Sequence, residues 1–188
     1  TKMKISIIMS TFNSASFVKN SIDSLLLQTY KDYEILILDD NSTDSTYDIL
    51  KDYERDNSSV KIFKNDQNIG LTKSLNILIS KSTGTLIARQ DDDDISSENR
   101  LQTQINVMKK YNLDFCTTRA ITAPEKKIRP KFTIYFPKKF IIKYKNPFVH
   151  GSLLIKKSVL EKLGGYNENF YYAQDYKLMF DLLNKNSL

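Results

Sequence analysis

Tyr33-Glu34-Ile35-Leu36-Ile37-Leu38-Asp39-Asp40-Asn41-Ser42-Thr43-Asp44 decides how the chain is read. Its first six residues form a short β-rich run that stops abruptly at three polar residues. A helix should follow, capped by Ser42, Thr43 or Asp44, with Tyr47, Ile49, Leu50 and Tyr53 on its apolar side. Strand, polar turn and helix in that order make a βα unit, and the pattern repeats on both sides. Lys4 to Met9 is a strand ended by Ser10-Thr11-Phe12-Asn13-Ser14, and Phe17 to Gln28 carries apolar residues at helical spacing. Val60 to Phe63 is a third strand, Gly70 to Ser80 a helix, and Thr85 to Ala88 a fourth strand running into Asp91-Asp92-Asp93-Asp94. Such alternation predicts parallel βαβ units with right-handed crossovers, whose ligands sit beyond the carboxyl ends of the strands. The chemistry is therefore expected in the loops after Met9, Leu38 and Ala88.

Beyond Leu101 the alternation fades. A helix to about Tyr111 and a strand through Phe115 precede residues 120–147, which are rich in Pro, Lys and aromatics and read as irregular. A strand over Ser152–Ile155 follows. Next comes a short helix with a capping box from Ser158 to Glu161 and Gly164 at its C′ position. A last helix is expected from about Asp175 to Leu183.

Composition narrows the classes. Apolar residues make up 40% of the 188 and charged residues 27%, which excludes collagen-like and low-complexity chains. No apolar run approaches the roughly 20 residues that span a bilayer. No signal peptide is read at Thr1 to Ser10, and the chain is expected to be soluble and cytosolic. One Cys and one His exclude an internal disulfide and any zinc site of the Cys/His type, so a metal would rest on carboxylates, as magnesium or manganese does. Residues 1–100 hold 12 Lys/Arg against 16 Asp/Glu, and residues 101–188 hold 16 against 6. The two halves should face different partners, unless the excess is a solvated surface.

Four adjacent aspartates repel one another, and a divalent cation is the obvious compensation. In a loop just past a strand, alternate residues such as Asp91 and Asp93 can point to the same side and so reach one ion. A solvated acidic loop, or aspartates capping a helix near Ser96 and Ser97, would also fit. The Gly and Glu of an EF-hand loop are absent. A carboxylate at Asp39 or Asp40 could accept from a ribose or a base, or the segment could simply cap the next helix. Neither G-x-G-x-x-G nor G-x-x-x-x-G-K-[ST] occurs, which argues against dinucleotide oxidoreductases and P-loop enzymes.

Seven blocks, in order, resemble the family 2 glycosyltransferases. They are Ile5 to Asn13, Ser24 to Tyr30, Asp39 to Asp44, Asn68 to Asn76, Ala88 to Ile95, Asn146 to His150, and Lys162 to Tyr166 with Ala173 to Tyr176. The resemblance implies the GT-A fold, a Rossmann-like α/β architecture with an open mixed sheet, mostly parallel, flanked by helices. It implies one catalytic domain over 1–188, with a nucleotide-binding half at 1–100 and an acceptor half at 101–188. It places Ser10, Thr11, Phe12 and Asn13 against the nucleotide, Asp40 on its base and Lys73 near the diphosphate or base. Asp91 and Asp93 match the D-x-D motif and would hold Mg²⁺ or Mn²⁺, with Asp92 beside the nucleotide. Asp175 matches the catalytic base of the E-D pair, where Gln174 stands in place of Glu. His150 and Gln174 are candidates for contact with the acceptor or diphosphate.

The implied reaction is inverting transfer from a nucleotide sugar, UDP first by family frequency, to an acceptor hydroxyl. The acceptor would be a glycan or a lipid-linked glycan in polysaccharide or cell-wall synthesis. Because the chain stops 13 residues after Asp175, a C-terminally truncated catalytic core is expected. Two other readings stand beside this one. A sugar-1-phosphate nucleotidyltransferase would need a Gly-rich basic loop, and Ser10 to Ser14 has neither Gly nor Arg. A nucleic-acid-binding module would use the eight Lys/Arg of Lys126–Lys145 with Phe132, Tyr135, Phe136, Phe140 and Tyr144. The acidic loops argue against nucleic acid near the cleft. The same basic segment could instead dock on an anionic membrane, at its inner face.

Overall fold

A computed structural model of the chain describes residues 3–131, 137–170 and 173–184. Strands β1 (Ile5–Thr11), β2 (Tyr33–Asp39), β3 (Val60–Lys64) and β4 (Leu86–Arg89) alternate with helices α1 (Val18–Leu26), α2 (Thr46–Asp56) and α3 (Leu71–Lys81). Then come α4 (Arg100–Tyr111), β5 (Phe115–Cys116), β6 (Ala120–Thr122), β7 (Lys127–Arg129), α5 (Lys138–Ile141), a 3₁₀ turn (His150–Ser152), β8 (Leu154–Lys156), α6 (Lys157–Leu163) and α7 (Gln174–Asn184). The main sheet has the order β3-β2-β1-β4-β8-β5. The first four of these strands are parallel, and β8 runs antiparallel to both β4 and β5.

β1 and β2 are buried on both faces, as helix-covered parallel strands are, and alternate side chains sort into two cores. Ile5, Ile7, Met9, Ile35 and Ile37 meet α1, α2 and α4 through Val18, Ile22, Leu25, Leu50, Leu101 and Ile105. Ile8, Leu36 and Leu38 face α3, α6 and α7 through Leu75, Leu78, Leu160 and Met179. Glu34 sits inside this apolar frame, 4% exposed. It accepts from Ser6 Oγ (2.7 Å), Thr83 N (2.8 Å) and Lys61 Nζ (3.2 Å), which ties β1, β2 and the approach to β4 together. Burial alone would push its carboxyl up. The bonds from Ser6, Thr83 and Lys61 outweigh burial and hold it down at about 2.

The alternating first hundred residues fold as the pattern predicts, and Gly164 ends α6 at φ +80° in the left-handed region. Three expectations are corrected. Residues 120–147, read as irregular, contain the β6–β7 hairpin and α5. The hairpin strands are three residues long and leave Ile121 70% exposed, so no burial pattern marks them. The capping box at Ser158 does not form, because β8 runs straight into α6 with extended Lys156 at its N-cap. The strand expected from Ser152 begins at Leu154, after the 3₁₀ turn. Phe132, Tyr135 and Phe136 of the basic segment lie outside the described residues.

Candidate active site

The strand order reverses between β1 and β4, so their outgoing loops diverge and open a crevice at the carboxyl ends of the strands. The loops after β1 and β2 are laced together. Asn13, in the left-handed region at φ +52°, donates its N–H to Ser42 Oγ (2.9 Å) and accepts from Thr43 N (2.8 Å) at its side chain. Asp44 accepts from Thr46 N (2.9 Å) and so serves the start of α2 from one residue before the N-cap, Ser45. Ser10 and Thr11 are buried, Phe12 is 45% exposed, and Thr11 Oγ1 has no partner among the described residues. Asp40 is buried and anchors the loop before α3. Its oxygens accept from Asn65 Nδ2 (2.7 Å), Ile69 N (3.0 Å) and Gly70 N (2.8 Å).

Beneath the four aspartates lie two buried arginines, which the sequence reading missed. Arg89, 1% exposed, ends β4 and pairs with Asp91 through Nη2–Oδ1 at 2.5 Å. Arg100, at the start of α4, donates from Nη1 to the carbonyls of Arg89 (3.1 Å) and Gly151 (3.2 Å) and to Gln90 Oε1 (3.0 Å). Burial, the largest influence, lowers the Arg100 guanidinium to about 10, which leaves it charged at neutral pH. Asp94 is pushed up, first by loss of water and then by Asp91 and Asp93. Part of the aspartates' repulsion is thus met from inside the protein. Ser14 Oγ donates to Asp92 and joins the β1 and β4 loops. Gly151 closes the other side: a Cβ there would lie 2.5 Å from Asp91 Oδ2 and 2.6 Å from Asp94 Oδ2.

The donor set suits a hard cation only in part. Among the described residues no three His, Cys, Asp or Glu groups converge to cage an ion. Asp93 is exposed and makes no hydrogen bond or ion pair to a described residue, and Asp91 keeps Oδ2 after Arg89 takes Oδ1. A Mg²⁺ or Mn²⁺ ion bound by one or two carboxylates would draw its other oxygens from a ligand's phosphates and water.

Asp175 stands in the first turn of α7 and accepts from Asn146 Nδ2 at 3.0 Å. With Lys73, Gly70, Gln174 and Glu168 it lines a cleft of about 540 Å³. His150 Nε2 and Tyr166 Oη are 2.8 Å apart. Burial first, then Arg89, lowers His150 to about 4, and burial raises the Tyr166 phenol, so both are neutral at pH 7. Asp91 and Asp175 both act electrostatically on this pair. Asn76 holds Tyr166 in place by bonding both its N–H and its carbonyl at 2.9 Å. Asp91 and Asp175, far apart in sequence, are thus both within electrostatic reach of the His150–Tyr166 pair.

A sheet that reverses between β1 and β4, with carboxylates at the reversal, is the layout of the GT-A class. The chain matches the sequence model of Glycosyl transferase family 2 over residues 6–164, and it belongs to that family. It is 35% identical over 166 residues to EpsE of Bacillus subtilis (strain 168), with 87% of this chain covered. The chain spans 60% of that relative's length. It is 31% identical over 186 residues to the Escherichia coli protein named UDP-Glc:alpha-D-GlcNAc-diphosphoundecaprenol beta-1,3-glucosyltransferase WfgD, covering 98% of this chain and 71% of that one. The fold is similar to that of the mannosyltransferase PcManGT from Pyrobaculum calidifontis, solved with GDP-Man and Mn²⁺. The TM-score is 0.78 at 17% identity, over 97% of this chain and 52% of that one. No helix among the described residues is long and apolar enough to cross a membrane.

Proposed function

We propose that the chain carries the donor cleft and the base of an inverting glycosyltransferase, which moves a sugar from a nucleoside diphosphate, UDP first, to an acceptor hydroxyl. The observation that carries this reading is the cleft in which Asp175 stands with Lys73 and with Gly70, whose N–H is accepted by Asp40; Asp91 and Asp175 also both act electrostatically on the His150–Tyr166 pair. It supports a reading in which the expected base stands beside the donor-binding loops. In this reading residues 1–100 bind the nucleotide and 101–188 face the acceptor. Ser10 to Asn13 and Asp40 border the base and ribose, Asp92 borders the nucleotide, and Lys73 reaches the diphosphate. Asp91 and Asp93 hold Mg²⁺ or Mn²⁺, which when bound neutralises charge on the departing diphosphate. Asp175, oriented by Asn146, takes the proton of the attacking hydroxyl, a role worth ~10²–10⁴-fold in rate. Attack from the face opposite the leaving group inverts the anomeric centre. His150, neutral at working pH, offers a hydrogen bond rather than a charge, and Gln174 offers an uncharged amide beside the base.

The acceptor is a glycan, or a lipid-linked glycan as in the name of the Escherichia coli relative. A lipid-linked acceptor would bring the enzyme to the inner face of an anionic membrane, where Phe140 and Tyr144, exposed and 5.5 Å apart, sit among the basic residues. The test is a thermal-shift screen of UDP-, GDP- and dTDP-sugars with Mn²⁺. A nucleotide sugar at ~100 times its Kd stabilises by about 2.7 kcal/mol. The reading expects a UDP-sugar to give the largest shift, and no shift with any nucleotide sugar would refute it.

A further inference from the structure

A second cleft, of about 610 Å³, lies among residues of the second half of the chain. Lys127, Arg129, Lys131 and Lys145 line it together with Pro130, Asn146, Phe148 and Val149. Asn146 is also the residue that donates to Asp175. One hydrogen bond therefore joins this basic cleft to the cleft that holds the proposed base.

The charges in it are poorly matched from within. Lys127 reaches Glu125 at 3.3 Å, a pair in which both side chains are about half exposed. Arg129, Lys131 and Lys145 have no carboxylate partner among the described residues. Four cations held around one hollow repel each other, and an anion inside relieves that cost. The mixture is informative. A guanidinium fork and ammonium groups suit phosphate oxygens, and the apolar lining residues suit a hydrocarbon attached to them. Nothing in the donor reading uses these residues, since the nucleotide cleft lies with Asp40, Lys73 and the aspartates.

We infer that the cleft lined by Lys127, Arg129, Lys131 and Lys145 binds the phosphate or diphosphate group of the acceptor and so presents the acceptor hydroxyl to Asp175. The inference rests on the glycosyltransferase reading for its orientation. Its anion binding can be measured independently of that reading.

Inorganic pyrophosphate in EDTA is the probe, followed by titration calorimetry. Without metal the aspartate loop repels pyrophosphate, so the basic cleft should take it. Binding is expected to weaken steeply between about 50 mM and about 300 mM salt. The combined Lys127→Gln, Arg129→Gln, Lys131→Gln and Lys145→Gln variant should lose at least about tenfold in affinity, the scale of several charge-assisted bonds. Lys145→Glu alone should lose a smaller part, and serves if the fourfold variant is unstable. Undiminished affinity in both basic-cleft variants would overturn the proposal. So would vesicles of phosphatidylglycerol that displace pyrophosphate as well, per phosphate, as pyrophosphate itself, because the cleft would then be a headgroup site. The donor reading has a separate readout, the UDP shift with Mn²⁺, which the fourfold variant should keep. Loss of that shift in the wild type would sink the donor reading and leave the pyrophosphate result standing.

Discussion

Replacing Arg89 by methionine removes a buried positive charge from under four aspartates while keeping most of the side-chain volume. The guanidinium is fully buried, and Asp91 across the 2.5 Å ion pair is 35% exposed. Breaking a buried pair by removing one partner costs roughly 3–5 kcal/mol, and the partial exposure of Asp91 puts this case at the lower end, about 3 kcal/mol. For a chain of this size each kcal/mol is worth about 2–4 °C, so the melting temperature in EDTA should fall by roughly 6–12 °C. Among the described residues Arg100 is then the buried cation left to balance the aspartates, so a divalent cation should matter more. Mn²⁺ is expected to raise the melting temperature of Arg89→Met by several degrees more than that of the wild type. Scanning calorimetry of both proteins, with EDTA and with Mn²⁺, reads both effects. A variant that melts within about 2 °C of the wild type and responds equally to Mn²⁺ would refute the idea that Arg89 balances the acidic loop.

Two other outcomes follow from particular residues. Asp175→Asn should keep donor affinity and lose ~10²–10⁴-fold in turnover, measured as nucleotide release in the presence of acceptor; retention of more than about a tenth of the turnover would move the base elsewhere. Glu34 is held at about 2 in the folded chain against 4.5 unfolded, so its contribution is complete above pH 4.5 and is lost as pH falls toward 2. By pH 3 that loss should be about 2 kcal/mol. Glu34→Gln should lack this component in urea unfolding at pH 7 and pH 3, and equal losses in both proteins would contradict the assignment.

The donor-side half of the fold is legible in the chain because its strands are buried on both faces and bounded by polar turns, as at Leu38–Asp39–Asp40. Burial on two faces leaves an uninterrupted apolar run, and amphipathic helices leave a 3.6-residue stripe. The β6–β7 hairpin buries little, so it leaves no such mark. Arg89 was missed for a related reason. It ends an apolar run and reads as the first residue of the loop, although the strand continues through it and carries it under the aspartates. The local sequence signal was there, a lone cation between an apolar strand and four acids. The roles of Arg100, Asn76 and Asn146 are set by partners from 10 to 90 residues away, which no local pattern names. The capping box at Ser158 shows the converse. The local motif was present, and the pairing of β8 with β4 decided where the helix starts.

Asp93 offers the most direct test of the central claim, because it is exposed and makes no hydrogen bond or ion pair to a described residue, so its loss should leave the fold untouched. The measurement is calorimetric titration of UDP into wild type and Asp93→Ala, each with Mn²⁺ and with EDTA. UDP is expected to bind the wild type only with Mn²⁺, and to bind Asp93→Ala in neither buffer, at unchanged melting temperature. Equal Mn²⁺-dependent affinity in the two proteins, or UDP bound as tightly in EDTA as in Mn²⁺, would contradict a metal-assisted diphosphate site at the aspartate loop.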